Sequence, residues 1–113
     1  MSTERCVHAS RLTIFCLRLA PGDDLTQCLR AAAQAYGWRA GFVVSVVGSL
    51  SQVALRPAGR DDTLFFRGDY EILALGGTLS AGGMHLHLTV ADAEGRAFGG
   101  HLVDGASVRT TAE

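Results

Sequence analysis

The alternation of apolar and polar residues along this chain predicts a sheet of short strands with one helix. Apolar residues recur every three or four positions between Leu25 and Tyr36, which is typical of a helix. Either Asp23 or Asp24 can cap its start, and Gly37 suits its end. Elsewhere, short β-branched and apolar runs are bounded by Gly, Pro and Asp. These runs predict about seven mostly antiparallel strands and an α+β fold.

The same pattern predicts where the strands begin and end. Residues 11–19 form a first strand with apolar residues on both faces, so we expect it to be covered on both sides. Residues 42–50 and 51–57 form two further strands. A turn at Gly68 and Asp69 then separates a short strand from a longer one.

Length and composition indicate one domain. The chain has 113 residues, of which 48% are hydrophobic and 19% charged, as in an ordinary globular domain. We assign residues 1–10 to an N-terminal lead-in and residues 11–113 to the domain. No apolar run approaches the roughly 20 residues of a membrane helix, and no signal sequence is present, so we expect a cytosolic protein without a membrane partner.

The cysteines and the charges exclude several classes of protein. Cys6, Cys16 and Cys28 are an odd set without a C-x-x-C pair, which favours reduced thiols over disulfides or a cysteine zinc site. Ten basic residues, all arginine, face eleven acidic ones and are scattered singly. This balance favours a solvated surface, so DNA binding would require folding or assembly to gather arginines on one face.

Histidines concentrate in one short segment. His85 and His87 lie two positions apart in "MHLHLTV", so in a strand both side chains leave the same face and can approach one ion. Residues 84–92 and 96–104 form a predicted hairpin. If its loop is the five residues 92–96, His101 lies directly opposite His87. A four-residue loop would shift the register by one and separate them.

Three imidazoles with open positions are typical of a catalytic zinc site, and imidazole also suits copper, nickel and iron. We therefore predict a divalent metal, zinc first, bound by His85, His87 and His101. The alternative is that they are polar residues on the solvated face of a sheet. Gly82, Gly83, Gly99 and Gly100 flank the histidines and could leave room for a ligand or another chain.

Glu71 is a further candidate because it shares a strand face with Leu73 and Leu75. An unpaired carboxylate there would be costly to bury. It is either an edge residue paired with an arginine, or an acceptor for an imidazole N–H or a general base for water at a metal.

Five motifs that follow one another along the chain carry a family resemblance: "LAPGDDLTQCL", "RAGFVVSVVGSLSQVALR", "YEILALGGTLS", "HLHLTVADAEGRAFGGHL" and "VRTTAE". In this order they resemble the plants-and-prokaryotes-conserved (PPC) domain, stand-alone prokaryotic type. The resemblance implies an α+β fold, a homotrimer, and a DNA-binding role that is assigned largely by analogy. The family's H-L-H and G-G-H strands match His85, His87 and His101, which implies a metal in some members. Asp69 departs from the plant pattern, and no AT-hook is present.

Two functions follow as hypotheses. The first is a homotrimeric assembly module that carries the three-histidine metal site and presents a surface to a protein or DNA partner. The second is a metal-dependent enzyme, a hydrolase or lyase, acting on a small molecule. A complete set of catalytic residues is absent from the motifs, so whether the protein is an enzyme stays open.

Overall fold

The computed structural model describes residues 8–113, and in this part of the chain it confirms the α+β fold as one compact domain. Helix α1 precedes six strands that form one antiparallel sheet. The elements are α1 (Leu25–Ala35), β1 (Gly41–Phe42), β2 (Gly48–Arg56), β3 (Leu64–Ser80), β4 (Gly83–Ala91), β5 (Ala97–Leu102) and β6 (Ser107–Ala112).

The sheet curls on itself around the core. Its strand order is β1-β3-β4-β5-β2-β6, with an additional pairing between β3 and β2. The long strand β3 makes this possible, because its first half pairs with β2 and its second half with β4. Leucines and valines of β2, β4, β5 and β6 fill the enclosed side, including Leu50, Val53, Leu55, Leu86, Leu88, Val90 and Val108.

Helix α1 is attached to the turn between β5 and β6. Asp24 is its N-cap, since one carboxylate oxygen accepts from the backbone N–H of Gln27 at 3.0 Å. The other oxygen of Asp24 accepts from the N–H of Gly105 at 2.7 Å. The helix ends at the predicted place, with Gly37 in the left-handed region at φ 65°. The helix prediction is therefore confirmed to within one residue.

The predicted first strand is wrong. Residues 11–18 are not paired in the sheet, and only Leu19 forms a bridge, with Ala112 of β6. Leu12 and Ile14 are exposed rather than covered, while Phe15 packs on the ring of Trp38 at 5.0 Å. Alternation shows that a segment can pair, but a strand also needs a neighbour with a free edge alongside it.

Two other strand boundaries also differ from prediction. No break separates residues 50 and 51, because β2 runs through that position, whereas residues 43–47 lie outside any strand. The predicted turn at Gly68 and Asp69 is also wrong, since β3 continues through both residues. They form an irregularity in the pairing of β3 with β2. A Gly-Asp pair permits a turn, but here continuous sheet pairing turns the extra residue into a bulge.

The predictions about the cysteines and about membrane helices can also be compared with the structure. Cys16 and Cys28 are free, and burial raises the pKa of the Cys28 thiol, with Asp23 and Asp24 adding to the effect. Cys6 lies outside the described residues. Within residues 8–113, α1 falls short of the length and apolar character that a membrane-crossing helix needs.

Candidate metal centre

Strand β4 presents two histidines on its outer face. Leu86 and Leu88 are buried and Met84 is half-buried against the core. Because side chains alternate along a strand, His85 and His87 between them point outward, and both are exposed. The predicted division of this strand into a core face and a histidine face is confirmed.

The hairpin loop sets the position of the third histidine. Asp92 organises the loop: one of its carboxylate oxygens accepts from the backbone N–H groups of Glu94 and Arg96, at 3.0 and 2.8 Å. The loop is the predicted five residues, so the predicted register is confirmed and His87 pairs directly with His101 of β5. A shift of one residue would have placed His101 on the core face.

The three histidines come together at one point. One ring nitrogen from each of His85, His87 and His101 lies within 4.8 Å of the others. The ring centroids are 5.0 to 5.9 Å apart. Nitrogens that share a zinc ion lie at most about 4 Å apart, twice a Zn–N bond. Small side-chain rotations would therefore bring the three nitrogens to the distances of a bound ion. This donor set fits a divalent metal ion.

Electrostatics favour the neutral form of one ring. Partial burial lowers the pKa of His101 below its usual value, and the positive charge of Arg56 and the two other histidines lower it further. The neutral imidazole is the form that coordinates metals. At neutral pH the proton therefore competes less for His101 than for an ordinary histidine.

The glycines around the histidines have different roles. A Cβ at Gly83 would meet no atom within 4 Å, which agrees with the space predicted there. A Cβ at Gly99 would overlap the carbonyl oxygen of Leu88, so this glycine permits close approach of β4 and β5 rather than room for a ligand. Sequence reasoning missed a further open position at Gly76. This residue of β3 pairs with His87 of β4, and a Cβ there would meet no atom of residues 8–113 within 4 Å.

Arg56 is the second residue that sequence reasoning missed. It pairs directly with His101 across β2 and β5, so the two side chains share one face. No local signal could have found it, because these strands are far apart in the sequence and meet only when the sheet curls.

Glu71 lies elsewhere on the sheet. It is exposed on β3, opposite Ala91 of β4 and Ser49 of β2. Ala91 is four residues beyond His87, about 13 Å along the strand. The structure thus brings the three histidines together without Glu71, and its role as an acceptor or base stays a prediction.

A cleft of ≈ 440 Å³ borders the site at His101. Its other walls include Met84 and Leu86 of β4 and the Thr26, Arg30 and Asp104 cluster at the start of α1. Arg30 forms an ion pair with Asp104 at 3.2 Å. The cleft is therefore lined by both polar and apolar residues.

The fold and the site define a class: a small α+β domain whose curled antiparallel sheet carries three converging histidines on its outer face. The family profile called Plants and Prokaryotes Conserved (PCC) domain matches residues 7–113. The chain belongs to this family, as its motifs predicted.

In a curated relative, the segment that is similar to this chain is a small part of a larger protein. The chain is 51% identical over 102 residues to the bifunctional protein GlmU of Synechococcus sp. strain JA-3-3Ab. The match covers 90% of this chain but only 16% of that protein.

Several solved structures share the fold. A hypothetical protein from Salmonella is 44% identical with a TM-score of 0.84, over 85% of this chain and 70% of that one. A "putative DNA-binding protein" from Ralstonia eutropha is 26% identical with a TM-score of 0.70, over 85% and 70%. A metal-containing protein from Archaeoglobus fulgidus is 24% identical with a TM-score of 0.65; the match covers 85% of this chain and 72% of that one.

Proposed function

We propose that this protein is a homotrimeric, metal-binding assembly module of the cytosol, and that His85, His87 and His101 bind one divalent ion per chain. The observation that carries the proposal is the convergence of three ring nitrogens within 4.8 Å. Zinc is the first choice, because three imidazoles with open coordination positions are a common zinc ligand set. The Archaeoglobus neighbour is called metal-containing, which agrees with a metal site but does not name the metal, and at 24% identity that likeness extends only to the fold.

The histidines have distinct tasks in this proposal. His85 and His87 are held at a fixed spacing by the strand, and the Asp92 loop holds His101 in register with His87. A bound ion would supply a positive charge that polarises ligands. The protein supplies a neutral ring at His101 and an open sheet surface at Gly76.

The partner of the module is a second part of the proposal. Two neighbours carry the name "putative DNA-binding protein", which makes DNA or a DNA-associated protein the first partner class to test. In residues 8–113, however, five arginines form ion pairs with carboxylates: Arg18, Arg30, Arg60, Arg96 and Arg109. Five of the nine arginines in that part of the chain are therefore already paired with carboxylates, so a DNA contact would depend on assembly or on a protein partner.

Zinc titration of chelator-stripped protein tests the metal site. Calorimetry is expected to show one ion per chain, and His87→Ala is expected to lower the affinity more than 100-fold, beyond the roughly 10–100-fold effect of outer partners. His8→Ala is the matched control, because His8 is exposed and separate from the cluster. Absence of heat, or equal affinity in His87→Ala, would remove the proposed site.

A metal-dependent enzyme, a hydrolase or lyase, is the second candidate. The cleft that borders His101 favours it, since a small molecule could lie there beside the ion. Turnover of an ester, lactone or amide that disappears together with the metal in His101→Ala would favour the enzyme. Metal binding without any turnover would favour the assembly module.

A further inference from the structure

One row of residues crosses the outer face of the sheet at the histidine cluster. Gly76 of β3 pairs with His87 of β4, His87 pairs with His101 of β5, and His101 pairs with Arg56 of β2. Directly paired residues of antiparallel strands lie about 4.5 to 5.5 Å apart at Cα and point to the same face. Arg56 is therefore the immediate neighbour of the cluster.

The Arg56 guanidinium is free to bind something else. Among residues 8–113 five other arginines are paired with carboxylates, but Arg56 has no such partner. It is exposed and pairs directly with His101 across the sheet. Within residues 8–113, no carboxylate forms an ion pair with Arg56 or with any of the three histidines.

The surface around this row is open. A Cβ at Gly76 or Gly83 would meet no atom of residues 8–113 within 4 Å, so no side chain from that part of the chain covers the cluster at either position. A divalent ion at the histidines would add positive charge beside that of Arg56. Two unpaired positive charges on one face attract an anion rather than a cationic ligand.

We propose that Arg56 binds an oxyanion, the carboxylate or phosphate group of a small molecule, which lies between its guanidinium and the ion held by the three histidines. This inference rests on the proposed metal site and names the ligand class of that site. Arginine suits the task because its planar fork of N–H donors matches two oxygens of one carboxylate or phosphate. In this arrangement Arg56 contacts the ligand and the histidines hold the ion.

Anion titrations of the metal-loaded protein test the inference. Cobalt replaces zinc in imidazole sites, and its visible absorption reports a change of ligand, so the Co²⁺-loaded protein is titrated with acetate and, separately, with inorganic phosphate. Comparing the two anions identifies which oxyanion the site prefers. Arg56→Met is expected to weaken binding of the preferred anion about tenfold, the loss typical of one charged hydrogen-bond partner.

Two control variants separate the contribution of the paired N–H donors of Arg56 from that of its positive charge. Arg56→Lys keeps the charge but loses the paired donors, so an intermediate affinity is expected. Arg18→Met removes the same charge from an arginine that already pairs with Glu113 at 2.8 Å, and it should leave anion affinity unchanged. Metal affinity, measured by calorimetry, should not fall in Arg56→Met, because the variant removes a positive charge from beside the ion.

The outcomes distinguish this inference from the metal site itself. If the wild-type protein binds no metal, the proposed function and this inference both fail. If metal binds but Arg56→Met binds acetate and phosphate as tightly as the wild type, only the role of Arg56 is overturned. An equal loss in Arg18→Met would also overturn it, because the effect would then be one of net charge.

Discussion

At the scale of single residues, a small polar cluster joins the helix to the sheet. Thr26 is buried and donates its hydroxyl hydrogen to Asp104 at 2.5 Å, and Arg30 donates to the same carboxylate at 3.2 Å. The hydrogen bond from Thr26, followed by the contact with Arg30, lowers the pKa of Asp104. Asp104 is far from α1 in the sequence, so these bonds form only in the folded protein.

Asp104→Asn should therefore destabilise the protein at neutral pH. We expect a loss of about 1 kcal/mol in the free energy of unfolding, a modest value because solvent screens this half-exposed ion pair. The folded pKa of Asp104 lies below its unfolded value. Its contribution is consequently present above the unfolded pKa and is lost as the pH falls through the folded pKa. Urea denaturation at neutral and acidic pH measures the difference between variant and wild type, which should shrink in acid.

Asp62→Asn is the matched control. The pKa of Asp62 is also lowered by an arginine, Arg60, but the two residues are only two positions apart on an exposed loop. Such a local contact can persist in the unfolded chain, so its loss should change stability less. An effect as large as that of Asp104→Asn would contradict the role given to the link between helix and sheet.

At the scale of elements, the close approach of β3 and β4 beside the histidines depends on one glycine. Gly77 has φ 130°, a conformation that other residues rarely adopt, and a Cβ there would overlap the carbonyl oxygen of His85. Its neighbour Gly76 is open and has no such constraint. A side chain should therefore be tolerated at Gly76 but not at Gly77.

Gly77→Ala should destabilise the protein by more than about 2 kcal/mol, because it combines backbone strain with a clash against β4. Gly76→Ala should stay within about 0.5 kcal/mol of the wild type. Urea denaturation of the two variants measures the contrast, and recovery of folded protein provides a second readout if Gly77→Ala does not fold. Equal stabilities would show that β3 can shift away from β4 at little cost.

Elements that depend on local interactions could be predicted from the sequence, whereas those that depend on distant neighbours could not. Helix α1 has a local cap and a local period, and the β4–β5 hairpin has a short loop whose length sets its register. The Gly68–Asp69 bulge and the unpaired segment 11–18 depend on which strands lie alongside them. Periodicity does not contain that information.

At the scale of the whole molecule, the single chain leaves much apolar surface uncovered. Several large apolar side chains are exposed: Leu12, Ile14, Phe15, Tyr36, Phe42, Val44, Val47, Phe65 and Leu73. Association with other chains would cover such side chains, and the proposed homotrimer is one way to do so.

The mass in solution tests the proposed assembly. Light scattering during size-exclusion chromatography should give three times the mass of one chain at micromolar concentration. Dilution into the nanomolar range serves as the control, because a specific trimer dissociates in a concentration-dependent way whereas an aggregate gives a mixture of masses. A mass of one chain at every concentration would contradict the trimer.

The sequence by itself determined the class of fold and the helix, and it reduced the position of His101 to a choice between two loop lengths. Each of these follows from short-range rules: the period of a helix, the alternation of a strand and the length of one loop. Only the tertiary structure decided that β3 is one long strand, that residues 11–18 stay unpaired, and that Arg56 lies beside the histidines. These features depend on contacts between distant segments, which form when the sheet closes around its core and which no local pattern encodes.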